Sequence, residues 1–291
     1  MTPPYVIGFI GLGQVGAKLA SSLATTGYDL AVLDLERSAA EPLLSSGARW
    51  GENPRALAES VDILITCLPN PAASASVMEG AEGALEGLSA GKFWLEMSTT
   101  DVREVQRLGD RVRAQGASPA DCPVSGGCHR AATGNISIFA GCERPTFEAL
   151  LPVLSSMGRD ILHTGELGSA SILKVITNYL ATANLVSLCE ALVTADRAGM
   201  DLGTTYEAIR ISSGNSFVHE TESQVILNGS RDINFTMDLV LKDISLFQDL
   251  ADRAEVPVEL SPLLIDIFRN AAERYGPRES SPNVIRRLEE A

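Results

Sequence analysis

Lysine is scarce in this chain. Of 23 basic residues only four are lysines (Lys18, Lys92, Lys174 and Lys242), and the rest are arginines. Chemistry that needs a titratable side-chain amine must therefore use one of four positions. Histidine is scarcer still, with His129, His163 and His219 scattered along the sequence. Cys128 and His129 are adjacent, which is not a chelating spacing, so no metal site is expected. Cys67, Cys122, Cys128, Cys142 and Cys189 form no CxxC pair, which excludes a disulfide framework and a zinc ribbon. Positive charge is in deficit overall: 37 acidic residues leave a formal net charge of −14. Such a chain repels phosphate backbones and anionic lipid surfaces, so no nucleic acid and no membrane is expected as a partner.

Other absences narrow the class further. The N-terminal stretch Met1–Gly13 has no basic segment, and three glycines break its apolar run, so it does not read as a signal peptide. The most apolar long segment, Ala170–Thr194, contains Lys174, Asn178, Asn184 and Glu190, and reads as a helix buried in protein rather than a membrane span. There is no internal repeat and no low-complexity linker. A soluble, cytoplasmic protein is expected.

What is present is an alternation of short β-type runs with helical patterns. Tyr5–Ile10, Leu30–Leu33, Ile63–Cys67, Phe93–Glu96, Ile136–Ala140 and Asp160–His163 read as strands. Helices are expected over about Val15–Thr25, closed by Gly27, and about Ala39–Ser46. Strands alternating with helices predict a parallel α/β sheet. From Gly168 onward the periodicity is helical only. The shift near 164–168 marks the expected boundary between an α/β domain, 1–164, and an all-α domain, 165–291.

The first strand runs into Gly11-Leu12-Gly13-Gln14-Val15-Gly16, followed by a helical pattern. A GxGxxG between a strand and a helix has a chemical reason. Gly11 permits a tight turn, Gly13 lets backbone approach a pyrophosphate, and Gly16 allows close packing of helix on strand. The phosphates then sit at the helix N-terminus, where unpaired N–H groups and the helix dipole favour anions. Asp34, at the end of the second strand, is placed to accept hydrogen bonds from the adenosine ribose hydroxyls and would repel a 2′-phosphate. NAD is therefore the expected cofactor. Arg37 reads either as a solvated surface residue or as a partner for that phosphate, which would admit NADP.

Lys174 and Asn178 lie four apart on a predicted helix, so they project from one face. Their neighbours Ile172, Leu173, Val175 and Ile176 are apolar. A lysine in such surroundings loses solvation of its charged form and is suited to exchange protons near neutral pH. It can take the proton from a hydroxyl while hydride leaves the same carbon, with Asn178 hydrogen-bonding the oxygen. Ser125, Gly126 and Gly127 offer a hydroxyl and approachable backbone N–H groups, a turn suited to a carboxylate.

Three segments carry a family resemblance. They are Gly8-Phe-Ile-Gly11-Leu-Gly13-Gln-Val-Gly16, then Asp121-Cys-Pro123-Val-Ser125-Gly126-Gly127, and Gly165-Glu-Leu-Gly168-Ser-Ala170-Ser-Ile-Leu-Lys174-Val-Ile-Thr-Asn178. Together they resemble the β-hydroxyacid dehydrogenase family, which includes 3-hydroxyisobutyrate dehydrogenase, over essentially the whole chain. The resemblance implies an N-terminal Rossmann domain, a doubly wound parallel sheet, followed by an all-α domain as in 6-phosphogluconate dehydrogenase. It implies NAD(P)-dependent oxidation of a short 3-hydroxy acid to its semialdehyde. The substrate carboxylate would lie on Ser125–Gly127, Thr99 near the nicotinamide ribose and Leu68-Pro69 over the cofactor. Phe235, Lys242 and Asp243 match positions that close the site, with Lys242 touching substrate or cofactor. A homodimer or homotetramer is implied too, because the long apolar helix carries more apolar surface than one small helical domain covers.

The departures are informative. The family's decarboxylating branch has His three residues and Glu seven residues after the lysine. This chain has Thr177 and Ala181, so oxidation without decarboxylation is expected. Ala170 replaces a common glycine. Arg130, beside the carboxylate turn, reads either as a surface residue or as a contact for a second anionic group, with His129 able to join it when protonated. Two other functions remain open on sequence: an imine reductase, whose branch generally replaces the lysine, and a non-catalytic dinucleotide-binding scaffold of the same fold.

Overall fold

The computed structural model describes residues 5–291, so the reading of Met1–Pro4 lies outside the described residues. The chain divides into two compact units, one ending at Lys174 and the other running from Val175 to Ala291. The division falls inside a helix, ten residues beyond the boundary expected from sequence.

The first unit is built on a sheet of nine strands among the described residues: β1 Val6–Ile10, β2 Asp29–Leu33, β3 Arg49–Trp50, β4 Ile63–Thr66, β5 Phe93–Glu96, β6 Ser118–Asp121, β7 Val124–Ser125, β8 Ser137–Gly141 and β9 Asp160–Gly165. Their order is β3-β2-β1-β4-β5-β6-β8-β7, with β9 on the other edge of β8. From β3 to β6 every pairing is parallel; β8 is antiparallel to β6 and β7 and parallel to β9. This is the doubly wound arrangement expected, with an antiparallel insertion near one side.

Helices cover both faces, so the strands are apolar on both sides. Along β4, Ile63 and Ile65 join one core with Ile7, Phe9 and Leu95, while Leu64 joins the opposite core with Ile10 and Trp94. That alternation is the two-residue period of a pleated strand. The first helix, Gly16–Thr26, buries Leu19, Ala20 and Leu23 and ends at Gly27 with φ +91°, the left-handed conformation glycine adopts without strain.

Three strands escaped the sequence reading: β3, β6 and β7. The first and last have two residues each. β6 reads Ser-Pro-Ala-Asp, poor strand composition, and proline normally argues against a central strand. The structure shows why it is tolerated. Ser118 and Cys122 donate their N–H groups to Lys92 O and Glu96 O on the β5 side. The missing N–H of Pro119 therefore faces the other side, where β8 pairs only at Asp121.

The second unit is helical among the described residues, apart from one isolated bridge between Thr236 and Ser280. Its core gathers Leu185, Leu188, Cys189 and Leu192 from the long helix Ser169–Arg197. Val240 and Ile244 join from the helix Met237–Arg253, and Leu264 and Phe268 from the helix Leu260–Tyr275.

Candidate active site

The glycine turn after β1 is closed on one side and open on the other. Gly11 has φ +98°, and a Cβ there would lie 2.3 Å from Cys67 O. A Cβ on Gly16 would lie 2.0 Å from Gly11 O. A Cβ on Gly13 would meet nothing within 4 Å. The first and last glycines are thus demanded by the protein's own backbone, and the middle one leaves room for a ligand. This is the shape a pyrophosphate needs, so the turn fits a dinucleotide. Gln14 and Val15 complete it, with the Lys18 ammonium donating to Gln14 O at 2.6 Å.

Asp34 has a second task that the sequence reading did not assign. Its Oδ2 accepts the Leu12 N–H at 2.6 Å and its Oδ1 accepts the Glu36 N–H at 3.0 Å. It therefore stitches the glycine turn to the end of β2. A carboxylate has about four acceptor sites, so two backbone bonds do not exhaust it for a ribose diol. Arg37 places its guanidinium over the Trp50 ring, 5.0 Å from the centroid, an arrangement of the cation–π type.

The loop after β4 is held from β5. Glu96 is buried; its Oε1 accepts the Ser98 N–H at 2.9 Å and the Ser98 hydroxyl. The Ser98 oxygen in turn accepts the Leu68 N–H at 2.7 Å, fixing the start of Leu68-Pro69. Burial pushes the Glu96 carboxyl up, and its bonds from Ser98 pull it down. Burial likewise pushes the nearby Cys67 thiol up to about 12, so it stays protonated at neutral pH. Thr99 is half-buried beside this network.

Ser125 ends β7, and Gly126 and Gly127 follow with φ +127° and +79°. A Cβ on Gly126 would lie 2.9 Å from Arg130 Cδ, and one on Gly127 would lie 3.4 Å from the His129 ring. Both flanking side chains thus fold back onto the turn. Asp121, at the end of β6, is fully buried and accepts the N–H groups of Gly168 at 2.8 Å and Ser171 at 2.7 Å.

Lys174 follows on the long helix with 8% of its surface exposed. Asn178, half-buried, lies one turn further. Within the second unit, Asn178 Nδ2 donates to Asp243 Oδ2 at 2.5 Å, and Lys242 Nζ lies 2.7 Å from Asp243 Oδ1. One buried carboxylate therefore holds two of the expected site residues. Since a carboxylate only accepts, the Asn178 amide must turn its NH₂ toward Asp243. Phe235 is half-buried against the second core, and its carbonyl accepts the Ser281 N–H at 2.8 Å. From sequence Asp243 was matched only to a position that closes the site, and no role was assigned to Glu96, Ser98 or Asp121. For the three acids the signal is burial at a strand end or helix face, visible only once the fold is known.

Comparison with known proteins agrees with this architecture. Residues 6–165 match the NAD binding domain of 6-phosphogluconate dehydrogenase, and residues 168–288 match the NAD-binding domain of NADP-dependent 3-hydroxyisobutyrate dehydrogenase. The 2-(hydroxymethyl)glutarate dehydrogenase of Eubacterium barkeri is 33% identical over 281 residues, 96% of this chain and 93% of that one. The chain belongs to the β-hydroxyacid dehydrogenase family. A crystal structure of 3-hydroxyisobutyrate dehydrogenase from Salmonella typhimurium superposes with a TM-score of 0.88 at 27% identity, covering 97% of this chain and 99% of that one. An imine reductase from Myxococcus stipitatus is more distant, with a TM-score of 0.66 at 18% identity over 98% and 100% of the two chains, and shares the fold alone. As a β-hydroxyacid dehydrogenase, the chain is an NAD(P)-dependent oxidoreductase of hydroxy acids.

Proposed function

We propose that this dehydrogenase interconverts a short 3-hydroxy acid and its semialdehyde, without decarboxylation, and prefers NAD. The observation that carries the reading is Lys174, buried on the long helix at the family's lysine position. The cofactor supplies the acceptor or donor for hydride. Gly11, Leu12, Gly13, Gln14, Val15 and Gly16 receive its pyrophosphate, and Asp34 faces the adenosine ribose. Leu68, Pro69 and Thr99 border the nicotinamide end. Ser125, Gly126 and Gly127 take the substrate carboxylate through a hydroxyl and backbone N–H groups.

In the oxidative direction the hydroxyl O–H breaks and its proton passes to the neutral amine of Lys174. The C–H bond breaks with its electron pair leaving as hydride, and a C=O forms on the same carbon. In the reductive direction Lys174 returns the proton. Asn178, fixed by Asp243, orients the reacting oxygen. By the family resemblance Lys242 and Phe235 are the residues that contact the substrate from the helical unit, and the Lys242 charge is balanced by Asp243. The missing acid at Ala181 leaves no group to protonate an enediol, which supports simple oxidation.

Asp34 supports NAD over NADP, and the engagement of Arg37 with Trp50 agrees with that preference. Exposed Leu180, Ile211 and Leu263 on the second unit support a homodimer or homotetramer, which light scattering on the purified protein would read directly. A panel of 3-hydroxy acids and semialdehydes with NAD and NADP tests the reading. Lys174→Met should lower kcat by about 10²- to 10⁴-fold with NADH binding unchanged. Near-normal kcat in that variant, or turnover of cyclic imines in place of hydroxy acids, overturns it.

A further inference from the structure

The helix that carries Lys174 begins directly after a glycine. Ile172 N–H donates to Gly168 O at 3.1 Å, which makes Gly168 the residue at the capping position. Glycine offers no side-chain acceptor, whereas serine, threonine, aspartate and asparagine do. The acceptor comes instead from another strand. Asp121 Oδ1 takes the Gly168 N–H and Oδ2 takes the Ser171 N–H, so one carboxylate satisfies donors on either side of the helix start. Ser171 lies one turn ahead of Lys174 on that face.

We propose that Asp121 is a positioning residue for catalysis, a cap supplied by β6 that sets the phase at which the helix presents Lys174. Three features of the fold support this. Gly141 pairs with Asp121 in the sheet, and a Cβ on Gly141 would lie 2.2 Å from Asp121 Oδ1 and 3.0 Å from Ala170 N. The carboxylate and the helix start thus share a space closed by glycine. The Ser169 hydroxyl is tied to the Thr164 hydroxyl at 2.7 Å, and Gln106 Nε2 donates to Leu167 O at 3.1 Å. These contacts brace the approach to the helix, whereas Asp121 binds two N–H groups at its start. A helix advances about 100° per residue, so a slip of one donor on the cap would carry Lys174 off its face. The negative charge also complements the positive end of the helix dipole. Burial pushes the Asp121 carboxyl up, and the two N–H bonds pull it down.

The inference rests on Lys174 as the proton carrier. Asp121→Asn is the direct test, because it keeps the shape but presents an NH₂ to one of two N–H donors. Expected is a kcat at least 10-fold lower per NADH-binding site, measured well below the variant's melting temperature. NADH affinity should stay within 2-fold. Hydrogen exchange should accelerate over residues 166–175 and not in β1 or β4. Asp121→Ser is the second variant. It keeps one acceptor oxygen in place of two and adds no bulk to the buried site, and should lower kcat about 3- to 10-fold. A variant of either kind that folds and keeps kcat within 2-fold overturns the proposal, as does a loss of kcat matched by equal loss of NADH affinity. Failure of the underlying reading looks different: Lys174→Met would then remain active, whereas an inactive Lys174→Met beside an active Asp121→Asn sinks only the positioning role.

Discussion

The turn at Gly11–Gly16 and the turn at Ser125–Gly127 both present glycine-rich backbone, yet they are built on opposite terms. At the first, a Cβ on Gly11 or Gly16 would strike a carbonyl oxygen of the chain itself, at 2.3 and 2.0 Å. At the second, a Cβ would meet only side chains, Arg130 and His129, and glycine is required by the backbone torsions. The first turn is fixed by packing against its own backbone, the second by conformation alone. A cofactor shared across a family calls for a rigid cradle. A substrate that differs from member to member suits a turn whose walls are side chains.

Four substitutions sharpen or break that contrast. Gly16→Ala should be the most damaging, because the struck atom is backbone and cannot swing away. A loss of about 3 kcal/mol in urea unfolding is expected; wild-type stability would show the first turn to be softer than its distances imply. Gly13→Ala should leave stability within about 0.5 kcal/mol and raise KM for NAD about 10- to 100-fold, since the added methyl fills space kept for a ligand. An unchanged KM would remove the pyrophosphate from that position. Gly126→Ala should cost about 1–2 kcal/mol through its positive φ. It should raise KM for the hydroxy acid several-fold while KM for NAD stays constant; parallel changes in both constants would merge the two sites. Arg130→Ala should be the mildest, within about 0.5 kcal/mol in stability. A KM increase confined to dicarboxylate substrates would assign Arg130 to a second anion. Equal KM values on mono- and dicarboxylates would return it to the surface reading.

The contrast also explains what was legible in the sequence. The glycine turn and its strand and helix could be read because local spacing encodes them, and Phe93–Glu96 was placed to the residue. The same holds for the long helix, whose apolar run, Ala170–Thr194, falls within the observed Ser169–Arg197. Strand β6 was missed because its stability comes from neighbours rather than from its own four residues. Asp121 and Asp243 stood inside recognisable motifs, but their tasks depend on partners 47 and 65 residues away. Asp34 was read for its charge, while its bond to Leu12 depends on two strands lying side by side.

One feature of the chain bears on how such enzymes can be recombined. The first compact unit ends at Lys174, inside the helix Ser169–Arg197. Domains are commonly joined by exposed linkers that a protease can nick and a splice can replace. A cut at this division would end one fragment on its central lysine and start the other with four amide donors stripped of partners. Halves of two related dehydrogenases therefore cannot be traded at the border of their units. A working chimaera has to be spliced before the helix begins, between Gly165 and Gly168, so that the lysine travels with the helical half and meets a foreign Asp121.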